Sequence, residues 1–257
     1  MKKMVVNNSG TSSLTSDFTN LRLYDDVGTT AGGSFIMAPG YNANVIALTV
    51  VANAAPNYGR ILGTMDKFGS TTTNLYSVFP GNNFRSIVSN GHFYWICGTV
   101  TGGAGLYYLK DLSSTPVSLG SINTRVVKII NNKLFYSTAT TGGTGVFQVS
   151  ANGLPVQISD VSLSRLTNAT YASSAKAGSP YAFDINPAEN VMYIADDAAY
   201  ISGATQKGGI IKYTKSGFQW SFAYTLPSPS ASARGLVVDW TTPNPSAVTP
   251  RFKCCNR

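Results

Sequence analysis

Histidine is almost missing from this chain. A single histidine, His92, among 257 residues means that any Ser-His-Asp arrangement must run through one position. That position lies in the turn-like "SNGHFY", and no G-x-S-x-G supplies a nucleophile elbow, so an exposed turn histidine is expected. Cysteine is nearly as scarce. Cys97 sits in an apolar run and Cys254 and Cys255 lie in the last four residues, a spacing that gives neither a disulfide framework nor a zinc site; Cys97 reads as a small buried apolar residue. Long apolar runs are missing too. The longest, "NVIALTVVANAA" from Asn44 to Ala55, is too short to cross a bilayer and is broken by Asn and Thr, so no membrane span is expected and the run reads as a buried strand. Charged residues make up 12% of the chain, Lys+Arg 19 against Asp+Glu 11, for a formal charge of +8 and a pI near 9.4. The cations are dispersed, with no basic run outside Lys2-Lys3, so the balance implies a basic surface and not a nucleic-acid partner.

What is abundant is turn and strand chemistry. Gly 25, Tyr 14 and Phe 12, with many Thr, Ser, Val and Asn, describe half-buried strands joined by tight turns, and nothing has the period of a long amphipathic helix. The segment "NFRSIVSNGHFYWICGTVTGGAGLYYL" is written again as "NTRVVKIINNKLFYSTATTGGTGVFQV". Arg85 matches Arg125 and Gly102-Gly103 matches Gly142-Gly143 at an offset of 40, while Tyr94 matches Tyr136 at 42, which implies a two-residue change in one turn that the next cancels. A more divergent copy runs from Ser179 to Leu226, and a fainter one, "SFIMAPGYNANVIALTVVANAAPNYGRILGTMDKFGSTTTNLYSV", precedes them.

Each copy reads as four short strands joined by hairpins, and four-stranded units of about 40–50 residues are the signature of β-propeller blades. The expected fold is therefore a single all-β, β-propeller-like domain, incomplete or of about five blades. Residues 1–33 give partial N-terminal strands, 34–80, 81–121, 122–162 and 179–226 are candidate blades, and 227–257 form an unfinished last blade. In the third unit the strands are expected at "RVVKII", "KLFYSTA", "GVFQVS" and "PVQISDV". Either an N-terminal strand, "NLRLYDDV" or "KKMVVNN", completes the last blade, or the chain is a piece of a longer propeller.

The motifs "SVFPGNNFRSIVSNGHFYWICGT", "NTRVVKIINNKLFYST", "GLPVQIS", "INPAENVMYIADD", "GGIIKYTKSGFQWSFAYTL" and "ARGLVVDW", in this order from about Phe35 to Trp240, resemble a family of bacterial and eukaryotic surface or secreted proteins with propeller-like repeats. The resemblance implies export and a surface or matrix setting, and no assigned reaction. High Thr/Ser/Asn/Gly content and the sequons at Asn7 and Asn168 agree with an extracellular glycoprotein. "MKKMVVNNSG" has a charged start without an apolar core, so either an export segment has been removed or the chain is cytosolic.

Three arginines, in "NFRSIV", "NTRVVK" and "SARGLVV", stand at the head of what reads as strand one, the innermost strand of a blade. Arg85, Arg125 and Arg234 would then share one mouth of the central channel. There they either hold a carboxylate, phosphate or sulfate through bidentate hydrogen bonds, or bond carbonyls of the neighbouring blade and fix blade packing. A rival site uses Asp184 in "YAFDIN" and Asp239 in "LVVDW", matching positions whose carboxylates can hold a hard cation such as calcium; Asp196-Asp197 follow the aromatic strand and read as turn support. The paired glycines lack the helix and Lys-Ser/Thr of a phosphate loop and fit hairpins. Tyr171, Tyr181, Tyr200, Trp220 and Trp240 are candidates for stacking on sugar rings. The expectation is a non-enzymatic extracellular binding or structural protein contacting glycans or proteins through propeller loops, without a required cofactor; the alternative is a metal-dependent, lactonase-like hydrolase.

Overall fold

The computed structural model describes residues 22–25, 33–38, 60–66, 71–76, 78–79, 84–91, 93–99, 104–140, 143–167, 178–198, 208–226, 233–236, 238 and 240. They form four four-stranded antiparallel sheets, each a meander in chain order. The first holds β1 (Arg22–Asp25), β2 (Gly33–Ala38), β3 (Arg60–Asp66) and β4 (Thr71–Tyr76); the second β5 (Phe84–Ser89), β6 (Tyr94–Gly98), β7 (Leu106–Leu109) and β8 (Val117–Gly120). The third holds β9 (Val127–Ile130), β10 (Lys133–Thr138), β11 (Gly145–Gln148) and β12 (Ser164–Arg165); the fourth β13 (Pro180–Ile185), β14 (Val191–Asp196), β15 (Gly209–Ser216) and β16 (Gln219–Leu226). The protein is all-β and of β-propeller type: repeated four-stranded blades stand side by side, the second and third meeting through their first strands β5 and β9, the third and fourth through β10 and β13. Among the described residues no helix is long and apolar enough to cross a membrane.

The blades adhere through apolar layers between their faces. Trp95, Cys97 and Leu106 of the second blade meet Leu134, Tyr136 and Val149 of the third, all buried. Val126, Phe135 and Val146 of the third meet Phe183, Ile185 and Ile194 of the fourth. Each large side chain so buried contributes about 1.5–3 kcal/mol. Hydroxyls tie successive blades: the Val127 amide donates to Ser86 Oγ at 3.3 Å, and Ser137 Oγ on β10 donates to the Tyr181 carbonyl on β13 at 2.6 Å. On the far face of the fourth blade, Ala233, Leu236 and Val238 cover Tyr193 and Ile210, held by backbone bonds from Ala182 N to the Arg234 carbonyl and from Ala233 N to the Asp196 carbonyl. Residues 233–236 thus lie where the first strand of a further blade belongs.

Three readings of the sequence are corrected. "NLRLYDDV" does not complete a last blade, because Arg22–Asp25 pairs with Gly33–Ala38 in the first sheet, so that sheet begins well before residue 34. "PVQISDV" is not a fourth strand: the Asp160 carboxylate accepts the Val156 and Gln157 amides at 2.9 and 3.2 Å and turns the segment into a 3-10 turn over Ile158–Asp160. The fourth strand follows at Ser164–Arg165, beyond residue 162. Finally, the repeat offset stays at 40 through the aromatic strand. Ile87 pairs with Ile96 and Val127 with Tyr136, so Tyr136 replaces Ile96 and Leu134 replaces Tyr94. Matching Tyr94 to Tyr136 slips the strand by two residues, which leaves every side chain on its correct face and is therefore invisible to the alternation pattern. The predicted "NNK" turn is present as a two-residue hairpin loop, with Asn131 and Asn132 at φ 47° and 58°, the left-handed pair that a type I′ turn needs.

Candidate functional site

The arginines gather at the end of the blades where the first strand begins. Arg85 and Arg125 occupy equivalent positions forty residues apart. In the fourth blade Phe183 pairs with Ile194 as Val127 pairs with Tyr136, and Asp196 pairs with Gly209 as Thr138 pairs with Gly145. The residue standing where Arg125 stands is therefore Tyr181. Arg234, on the next segment, continues the series, so four successive units present Arg, Arg, Tyr and Arg. The guanidinium carbons of Arg125 and Arg234 both lie 5.4 Å from the centre of the Tyr181 ring, within the range of cation–π attraction.

Each cation has a protein partner. Arg85 Nη1 donates to Asn123 Oδ1 at 2.8 Å and to the Thr124 carbonyl at 2.9 Å. Arg125 Nη1 donates to Ser179 Oγ at 2.7 Å and lies 3.4 Å from the Ser179 carbonyl. Arg234 Nε donates to Asp197 Oδ1 at 2.7 Å, while Asp197 Oδ2 stands 4.0 Å from Arg125 Nη1. These bonds link one blade to the next, as blade-fixing arginines would. Among the described residues they also leave most donors of the three forks uncommitted, since a guanidinium carries five N–H groups. The side chains of Arg125 and Arg234 are 20% and 40% exposed.

The electrostatics match this crowding. Burial lowers the Arg85 pKa first, the Tyr181 oxygen opposes, and Arg125 and Arg234 push it down further, so Arg85 lies in the field of the other two guanidiniums. The Asp197 hydrogen bond raises that of Arg234 against the opposing effect of burial. Asp196 is fully buried. It accepts the amides of Ser179 at 2.8 Å, Ala198 at 2.8 Å and Gly208 at 3.0 Å, so one of the two acidic residues read as turn support pins the loops around the site and the other engages the arginines. Among the described residues, three guanidiniums face two carboxylates, which leaves a net positive local charge.

No protein-family profile and no curated protein matches this chain. Solved structures are similar in fold only. They include a protein of Bacteroides uniformis described as a 6-phosphogluconolactonase (13% identity, 69% of this chain and 53% of that one, TM-score 0.45). A GH74 enzyme of Niastella koreensis is also matched (15% identity, 67% and 28%, TM-score 0.39). A third is a protein of Agrobacterium tumefaciens described as TolB (11% identity, 76% and 74%, TM-score 0.35). The chain spans about half the length of the first of these and about a quarter of the second. None of the site residues draws support from them.

The rival acidic site is differently arranged. Asp184 occupies the inner-strand position that Lys128 occupies in the preceding blade, and the two form an ion pair at 3.2 Å; Asp184 Oδ1 also accepts the Ile185 amide at 3.0 Å. Among the described residues no three His, Cys, Asp or Glu side chains are grouped to hold a metal ion. Asp239, His92, Asn7, Asn168, Tyr171, Tyr200, Cys254 and Cys255 lie outside the described residues. Cys97 is buried, as the apolar run around it implies. Asn123, Ser179 and the placement of Tyr181 among the arginines were not read from the sequence; the one available signal was the Arg-to-Tyr replacement at the head of the divergent copy, concealed there by the loss of sequence likeness.

Proposed function

We propose that this protein is a non-enzymatic binding module that works outside the cell, taking a carboxylate, phosphate or sulfate group carried by a glycan or protein ligand at the arginine cluster. One observation carries the proposal: guanidiniums from three units and the tyrosine of a fourth converge on one end of the blades, with the carboxylates too few to neutralise them. Charge-assisted, bidentate bonds to an oxyanion need such forks, and Tyr181 adds a flat face for the body of the ligand. The low charge and the Ser, Thr, Asn and Gly content support an extracellular setting. The hydrolase alternative loses ground because Asp184 is committed to Lys128.

The test is calorimetric titration with matched pairs of neutral, sulfated and phosphorylated monosaccharides. The charged member of each pair is expected to bind, and Arg125→Gln to weaken it about tenfold or more while the fold, read by circular dichroism, persists. Equal affinity for neutral and charged members would overturn the proposal.

A further inference from the structure

A cleft of about 420 Å³ opens between the third and fourth blades, running from the Gly145 end of β11, where Thr167 and Arg165 pack, toward the β15–β16 hairpin. Its size falls in the range of small-ligand sites, roughly 300–1,000 Å³. The fourth blade contributes Lys215, Phe218 and Trp220 from the β15–β16 hairpin, and the third contributes Gln148, Arg165 and Thr167. Phe135 and Ile185, both buried, supply apolar surface between them.

Two features set this cleft apart from an ordinary gap between blades. The first is unused polar capacity. Among the described residues, Thr167 is 4% exposed and its hydroxyl has no hydrogen-bond partner; Arg165 Nε is likewise buried without one, although Arg165 Nη2 donates to the Thr144 carbonyl. Buried polar groups left unpaired cost about 1–3 kcal/mol each, and such a pair lining one cleft is a place for a ligand acceptor. The second is aromatic surface: Phe218 is fully exposed at the hairpin tip, after Gly217 at φ 58°, and Trp220 is half-buried beside it with the Lys215 ammonium 5.8 Å over its ring. The remaining charge is also biased. Glu189 lines the cleft, but Lys133 at 2.7 Å and Asn131 at 3.0 Å occupy its carboxylate, so Arg165 and Lys215 set the sign.

We infer that this cleft is a second ligand site, for an acidic sugar unit of the uronate class, its carboxylate answering Arg165 and Thr167 and its ring lying against Trp220 and Phe218. A neutral hexose lacks the charge that the two cations call for, and inorganic phosphate lacks a ring face for the aromatic pair. The site is independent of the arginine cluster.

The experiment titrates the full chain with methyl β-glucuronoside, methyl β-glucoside and phosphate, by calorimetry and tryptophan fluorescence. The glucuronoside is expected to bind at least tenfold more tightly than either other probe, with a fluorescence change that Trp220→Phe abolishes. Thr167→Val, which keeps the side-chain shape, is expected to weaken it about tenfold while leaving the urea midpoint unchanged or higher. Arg125→Gln, in the other site, is expected to leave this binding intact. Comparable binding of glucoside and glucuronoside, indifference to Thr167→Val, a lower urea midpoint in that variant, or loss of binding in Arg125→Gln would each overturn the assignment.

Discussion

Replacing Asp196 with alanine removes the acceptor for three backbone amides at once. The carboxylate is fully buried, and Ser179, Ala198 and Gly208 all donate to it within 3.0 Å. Hydrogen bonds to a charged group contribute about 1.5–3 kcal/mol each, and an unpaired buried amide costs about 1–3 kcal/mol. Ser179 and Ala198 are partly exposed and can exchange the lost acceptor for water, whereas Gly208 is buried. The net cost is therefore about 3–5 kcal/mol, at the upper end for one substitution. Asp196→Asn, which keeps one acceptor oxygen for Ala198 and Gly208, should cost about 2 kcal/mol. Urea denaturation followed by fluorescence measures both. Ser179 in turn accepts from Arg125, so Asp196→Ala should also weaken anion binding. A loss of stability below about 1 kcal/mol in Asp196→Ala would refute the hydrogen-bond argument.

Three further outcomes follow from the geometry. At Gly145, φ is +152° and an added Cβ would collide with Thr167 Oγ1 and sit 3.3 Å from Arg165 Nε, so Gly145→Ala should cost roughly 2–3 kcal/mol by thermal or urea unfolding. Burial opposes ionisation of Glu189, but the hydrogen bonds from Lys133 and Asn131 outweigh it and hold the carboxyl below its usual 4.5. A depressed folded-state pKa gives stability that is present above 4.5 and is lost as the pH falls through the lower folded value. The gap in unfolding free energy between the native chain and Glu189→Gln should accordingly be present at neutral pH and close in acid; a gap that widened on acidification would contradict the sign. Asp197→Asn removes a negative charge and releases Arg234 Nε, so anion affinity should rise roughly threefold to tenfold at low salt, with the gain shrinking as ionic strength increases; titration calorimetry at two salt concentrations reads it.

The blades were legible because the signals that define them are local. Asn131-Asn132 dictates a tight hairpin, and the alternation in "KLFYST" fixes which side chains face the next blade. Slips of an even number of residues were not legible, as the Tyr94–Tyr136 mismatch shows, because they leave the pattern unchanged. "PVQISDV" misled because alternation alone cannot report that the Asp160 side chain would compete for the Val156 and Gln157 amides. At the site, the shared position of Arg85 and Arg125 was readable from the repeat. The insertion of Tyr181 into the same series was not, since it requires knowing that Pro180 and Asp196 pair across the divergent copy. Nor was the Lys128–Asp184 ion pair, which joins equivalent positions of consecutive blades and emerges only when the inner strands are adjacent.

Whether three guanidiniums act together on one anion is read from NMR of the arginine side chains. With 15N-labelled protein, the Nε–H resonances of Arg85, Arg125 and Arg234 are followed as a sulfated galactose is added. All three are expected to shift along one saturation curve, and Arg125→Gln to weaken the response of the other two. Unmoved guanidinium resonances at saturating ligand would contradict joint action, leaving the arginines as fasteners between blades.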